Sequence, residues 1–272
     1  MHQWSVLLLR AALVMYSLGL WHSLVTVVRR RQEMFTAALG SISIGAVLHL
    51  VSIILYSISR ERFPVYSLHE MASLIGFLVT CAFLLVYWRY KYESLAVFVF
   101  PTVFLLTLVG NLEGPVDPWA QRSLGDWWLV IHVALILLGY AALTLTFVAG
   151  VMYIIQEKEL KSKRPRAFYY RLPPLNKLDE MAYQTLAVGF VFITLGIIAG
   201  SFWSFVRFGS AWIVDPTIAL AFVTWAIYLV MVFSRVAIGW RGRKAAYFAI
   251  AGFACAALTW IVNSGAHSFV KR

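Results

Sequence analysis

The chain offers few side chains able to do chemistry, and its six histidines are the clearest of them. His132 opens the apolar run "DWWLVIHVALILLGYAAL", and His267 follows the last apolar run in "NSGAHSFV". Positions 132, 136, 139, 140 and 143 share one face at helical spacing. His132, Ile136, Gly139 and Tyr140 therefore make a surface that is smooth beside the glycine and polar at its outer end. Such a face suits a flat apolar ligand with a coordinating nitrogen above it. It suits equally a histidine that hydrogen-bonds one helix to another. Two imidazoles on opposite sides of a planar macrocycle form an axial ligand set for iron, and His267 gains weight only through that pairing with His132. His49 lies inside the second apolar run, about two-thirds of the way from its inner end, either as a ligand within the bilayer or as a hydrogen-bonded interior histidine. His22 sits near the inner end of the first run, too far in depth from His49 for the two to grip one metal. His69 and Glu70 are adjacent, about 100° apart on a helix, which predicts that they do not face one small ligand together.

Other chemistries lack their residues. Cys81 and Cys255 stand apart, with no C-x-x-C and no C-x-x-C-H, which excludes a dithiol oxidoreductase and a c-type cytochrome. Neither is there an H-x-x-x-H, a Cys2His2 spacing, a P-loop or a G-x-S-x-G. No apolar run carries an acidic or basic residue at its centre, which argues against an ion or proton path. Gly196-x-x-x-Gly200 reads as a small-residue contact between helices.

The elements that position these residues follow from composition. The chain has 272 residues, 61% hydrophobic and 13% charged, against about 25% charged in soluble domains. A membrane span takes roughly 20 apolar residues, and eight such runs stand at 5–28, 36–57, 67–88, 94–111, 127–155, 184–203, 218–238 and 245–264. The expected fold is all-α: a polytopic membrane helix bundle of eight transmembrane helices forming a single integral membrane domain over 1–272. The N-terminus lacks a charged n-region and a small-residue cleavage site, so it reads as a first span. With the N-terminus outside, 16 of the 23 Lys and Arg fall on the inner face. The positive-inside rule then places both termini outside. The net charge of +11 reads as topology and attraction to anionic membrane lipid, not as nucleic-acid binding. Residues 156–183, basic and broken by Pro165, Pro173 and Pro174, are expected to form a polar loop at the inner surface.

The outer face gathers Trp119, Trp127, Trp128, Trp203 and Trp212, more than an interfacial belt requires. Its densest stretch is "GSFWSFVRFGSAWIVDPT", residues 200–217. Together with "WWLVIHVALILLGYAAL", "GWRGRKAAYFAIAGF", "GAHSF" and the earlier "FPVYSLHEMASLIGF", this stretch resembles the cytochrome c assembly family of membrane proteins, the CcsA, ResC, CcmC and HemX-like group. The match is best over 126–268. The resemblance implies haem binding, with haem b as cofactor, ligated by His132 and His267 and lying against a tryptophan-rich (WWD) segment that includes Trp203, Phe208, Trp212 and Asp215. The intramembrane histidine of related proteins is similar to His49. Gly209, Trp212, Asp215 and Pro216 match the WWD motif. Phe208 and Val214 replace two tryptophans, and Thr217-Ile218 replaces a Lys-Glu pair.

The implied role is cytochrome c-type biogenesis in the bacterial cytoplasmic (inner) membrane, presenting haem at the outer face to a partner, with a ResB-like protein and apocytochrome c as expected partners. The chain is not expected to be an enzyme on its own, but to serve as a subunit of a cytochrome c haem lyase or synthase. The altered motif keeps a HemX-like regulator of tetrapyrrole synthesis as an alternative. An accessory subunit of a membrane transport complex is a third.

Overall fold

The computed structural model describes residues 2–29, 33–112, 127–162, 170–209 and 215–262, and each of the eight apolar runs is a helix in it. In chain order these are α1 (His2–Arg29), α2 (Glu33–Arg60), α3 (Leu68–Tyr90), α4 (Leu95–Asn111), α5 (Trp127–Lys161), α6 (Leu175–Phe208), α7 (Pro216–Phe233) and α8 (Arg243–Val262). Among the described residues there is no strand. Among the described residues, six helices, all except α4 and α8, are long and apolar enough to cross a membrane. The α4 helix has 17 residues and carries Pro101 in its interior, where one backbone hydrogen bond is lost.

Consecutive helices pack as hairpins, α1 on α2, α3 on α4, α5 on α6 and α7 on α8, and α1–α4, α3–α5 and α5–α8 contacts join the hairpins. One buried cluster joins α1–α6 around Tyr16, Ile42, Phe83, Phe100, Leu145 and Met181. A smaller one, around Leu143, Ile193, Tyr228 and Ala249, joins α5–α8. Large apolar residues remain exposed along the perimeter, including Trp21, Val47, Leu85, Ile198 and Val230, as expected of helices whose outer faces meet lipid.

Residues 156–183 depart from the expected loop. The α5 helix runs on through Lys161, and α6 begins at Leu175 with Pro174 as its cap. The stretch "QEKELK" is built of helix formers and is supported by the Lys161–Glu157 pair at 2.6 Å, a favourable i, i+4 arrangement. Asp215 and Pro216 start α7. The Asp215 carbonyl accepts from the N–H groups of Ile218 (3.1 Å) and Ala219 (3.2 Å), and its carboxylate lies 3.4 Å from Ile218 N. Acidic N-cap followed by proline at the first helical position is a preferred helix start.

Candidate functional site

The α5–α6 hairpin sets the position of His132. Four glycines bring the two helices close, and a Cβ added at any of them would collide. At Gly139 it would meet Ile193, at Gly189 Leu143, at Gly196 Ile136, and at Gly200 the His132 ring itself, 2.5 Å from Cε1 and Nδ1. The His132 face that sequence spacing offers to a flat ligand is therefore covered by α6, because the glycines of α6 leave room for it. Gly196-x-x-x-Gly200 is the helix contact that its spacing predicts.

That closeness fixes the chemistry of the imidazole. His132 Nδ1 lies 2.7 Å from the Gly196 carbonyl oxygen. A carbonyl only accepts, so Nδ1 carries the proton and donates, and a neutral ring then keeps its lone pair on Nε2. A ring nitrogen tied to a backbone carbonyl is the usual way a ligating histidine has its tautomer and orientation set. Beyond His132, at the end of the hairpin formed by the start of α5 and the end of α6, lies an aromatic surface. Trp127 stacks on Trp128 with ring centroids 5.5 Å apart, and Trp128 meets Phe202 at 5.7 Å. Trp127, Trp128, Phe202 and Phe205 are all exposed. Trp203, on the same α6 stripe as Gly196 and Gly200, is buried. Asp215 is buried at the start of α7, with its backbone and side chain turned to the helix N-terminus as described above. His267, Trp212 and the side chain of Phe208 lie outside the described residues.

His49 is in the other half of the molecule and is not brought to His132. It is fully buried, with Nδ1 3.3 Å from Tyr16 Oη and Nε2 2.8 Å from Ser73 Oγ. Both ring nitrogens are thus engaged, and a ligand role would require one of these bonds to be exchanged. Ser73 also lines a cavity of about 130 Å³ where the starts of α1 and α3 meet the ends of α2 and α4, shared with His2, Tyr56, Arg60, His69 and Glu70. His69 and Glu70 both line this cavity. His22 bonds the Leu18 carbonyl of its own helix at 2.7 Å.

Glu70 anchors the rim of this cavity. Ser67-x-x-Glu70 reads as a capping box, and Ser67 Oγ accepts from Glu70 N. The carboxylate itself accepts from Tyr56 Oη (2.6 Å), Tyr66 N (2.9 Å) and both terminal nitrogens of Arg62 (2.9 and 2.5 Å). Burial, the largest influence on Arg62, pulls its pKa down, but the Glu70 hydrogen bonds and charge, with Tyr56 and Tyr66, carry it above the ordinary value. Sequence reasoning passed over this network because Arg62 and Tyr56 stand on other elements. The signal was the capping-box glutamate, which had a second use. Among the described residues, no group of three His, Cys, Asp or Glu is placed to hold a metal ion.

A family model described as "Cytochrome C assembly protein" matches residues 4–267. "Cytochrome c biogenesis protein CcsA" of Prochlorococcus marinus (strain MIT 9301) is 27% identical over 267 residues, 88% of this chain and 86% of the relative. The protein of that name from Heterosigma akashiwo (strain NIES-293 / 8280G21-1) is 25% identical over 248 residues, 77% of this chain and 75% of the relative. Among solved structures, "Cytochrome c Heme Lyase CcmF" superposes with a TM-score of 0.71 at 16% identity, covering 99% of this chain and 48% of its own. The chain spans about half of that protein, and the likeness is one of fold.

Proposed function

Because the chain belongs to the cytochrome c assembly protein family, whose model spans nearly all of it, we propose that it holds haem as cargo at the outer face of the membrane for cytochrome c biogenesis. His132 and His267 supply the axial nitrogens, and Trp203, Phe208 and Trp212 border the ring. The observation that carries this reading is the 2.7 Å bond from His132 Nδ1 to the Gly196 carbonyl, which leaves Nε2 as the nitrogen with a lone pair. The exposed aromatic surface of Trp127, Trp128 and Phe202 beside it supports a flat, apolar cargo. Eight spans with both termini outside put this surface on the side away from the basic helix ends. Haem b, bacterial inner-membrane location, and a ResB-like partner with apocytochrome c complete the proposal. Bound haem contributes the iron whose redox state the axial ligands tune. The chain's part is to orient one imidazole and present the aromatic edge.

The test is the absorbance of the purified protein titrated with haem. A Soret band that is lost in the His132→Ala, His267→Ala double variant supports the reading. A band of unchanged position and intensity in that variant overturns it. The second reading, a regulator of tetrapyrrole synthesis, is favoured by Val214 and Thr217-Ile218 in place of an aromatic and a charged pair. It predicts that deleting the protein alters haem-precursor levels while cytochrome c matures normally.

A further inference from the structure

The end of the bundle opposite His132 carries a second buried ion pair. Asp179, near the start of α6, stands 21 residues from Gly200, about 32 Å along the helix. Its Oδ2 lies 2.7 Å from Arg235 Nη2, with both side chains 14% exposed. Its Oδ1 accepts from Gly242 N at 2.8 Å. Arg235 belongs to the π-helical turn Ser234–Ile238 that follows α7. It donates to the Trp240 carbonyl at 3.2 Å and lies 5.0 Å over the Tyr183 ring. Gly242 caps the start of α8, and its carbonyl accepts from Ala246 N at 3.0 Å. Gly242 has φ +69°, and a Cβ there would sit 2.7 Å from Tyr153 Oη, so glycine is required. One carboxylate of α6 thus holds both the chain leaving α7 and the chain entering α8.

The packing of α8 on α5 does little to fix α8 along its own axis. A Cβ at Gly150 would lie 3.1–3.5 Å from atoms of Ala246 and Ala249. Phe147 and Phe253 stack with centroids 4.3 Å apart and planes at 16°. Small residues let backbones approach closely but provide no large side chain as a stop, and parallel rings tolerate an offset. A helix on such a face can move by one turn, about 5.4 Å, between two similar packings. Polar pins remove that freedom, and Asp179 is a pin that reaches α8 directly from α6. Further pins run through α7: Trp225 Nε1 donates to Thr194 Oγ1 at 3.0 Å, and Thr224 Oγ1 lies 3.1 Å from Thr259 Oγ1. A buried ion pair is weak evidence for stability, and fixing register is its best-attested use.

We propose that Asp179 and Arg235 are positioning residues for the haem site at the far end of the bundle, setting the axial register of α8 and thereby how His267 meets His132. This role rests on the haem reading above. His132 lies 15 residues before Phe147, and His267 lies 14 residues after Phe253. A slip between the two stacked rings therefore carries over to the two histidines. One turn is far longer than a metal–ligand bond, so an axial nitrogen is lost.

The test replaces the pair by apolar residues, Asp179→Leu with Arg235→Met, which leaves no lone buried charge and is expected to keep the melting temperature close to its original value. Asp179→Asn, which keeps an acceptor for Gly242 N, is expected to act in the same direction but more weakly. Spin labels go on Ile198→Cys of α6 and Leu258→Cys of α8, both exposed, in a full chain with Cys81 and Cys255 changed to serine. Pulsed electron resonance in nanodiscs without haem is expected to give one narrow distance, which spreads or splits in the pair variant. Haem affinity is expected to fall about 10–100-fold, the range for losing a group that orients a metal ligand, and to change little when the pair is replaced in a His267→Ala background. Thr146→Val, which removes the 2.9 Å bond between Thr146 and Thr185, is expected to alter neither readout. A distance that stays narrow in the pair variant overturns the proposal. So does unchanged haem affinity, an equal fall in the His267→Ala background, or an equal effect of Thr146→Val. If the unaltered protein takes up no haem, the haem reading fails by itself, and the distances alone decide whether the pair registers α8.

Discussion

Gly200→Ala tests whether the α5–α6 contact orients His132 for a ligand or merely packs two helices. The new methyl would sit 2.5 Å from Cε1 and Nδ1 and 3.2 Å from Cγ of the ring. Ordinary carbon contact needs about 3.5 Å, so the ring must retreat by about 1 Å. The 2.7 Å bond to the Gly196 carbonyl then passes beyond useful length. Overpacking of this kind costs about 1–3 kcal/mol, with about 1 kcal/mol more for the lost hydrogen bond. Loss of an orienting contact to a metal ligand lowers affinity about 10–100-fold. Gly189→Ala is the control. It invades the same interface about three turns away, where it meets Leu143 Cγ and Cδ2 at 2.8 and 2.9 Å and the Gly139 carbonyl oxygen at 3.2 Å, and not the imidazole. Haem titration in detergent, followed in the Soret region beside a thermal melt, separates the two. Both variants are expected to melt earlier, and only Gly200→Ala is expected to lose affinity by the stated factor. The reasoning is refuted if Gly200→Ala binds haem as tightly as the unaltered protein, or if Gly189→Ala loses as much.

Three further outcomes are expected. Glu70→Ala leaves the Arg62 guanidinium, 9% exposed, without its carboxylate, and should destabilise the protein by about 3–5 kcal/mol; Glu70→Leu with Arg62→Met should recover most of this in a denaturation series. Ser73→Ala removes the partner of His49 Nε2, at 2.8 Å, and should cost about 1–3 kcal/mol, measured by the same series. Asp215→Ala should lose about 0.5–2 kcal/mol of capping, while Asp215→Asn, also a good cap, should keep both stability and haem affinity. A loss of haem with Asp215→Asn would instead give the carboxylate a direct role at the cargo.

The positions of the helices could be read in the sequence because apolar length alone sets them: 36–57 and 218–238, for example, each lie within a helix or its continuation. The end of α5 could not, because "QEKELK" is polar, and hydropathy is silent about a helix that continues past the lipid. For His132 the spacing showed the right face but not its occupant. The glycines that bring α6 against it are 64 to 68 residues away, and only their mutual spacing hinted at a contact. The Asp-Pro step of the aromatic segment matched a family motif and also a helix start, and periodicity does not choose between the two. Arg62 and Glu70 were legible singly but not as a pair, since the loop between α2 and α3 brings them together.

The α5 helix has 35 residues, about 52 Å at 1.5 Å per residue, well beyond the roughly 30 Å hydrocarbon layer. His132 and Lys161 are thus the two ends of one stiff rod about 44 Å apart. A rod of that length works as a lever. Tilting it by about 5° around its far end carries the other end through about 4 Å, enough to make or break contact with anything seated on the imidazole. Whatever grips the charged tip of α5 on one side of the membrane therefore holds a handle on the histidine at the other.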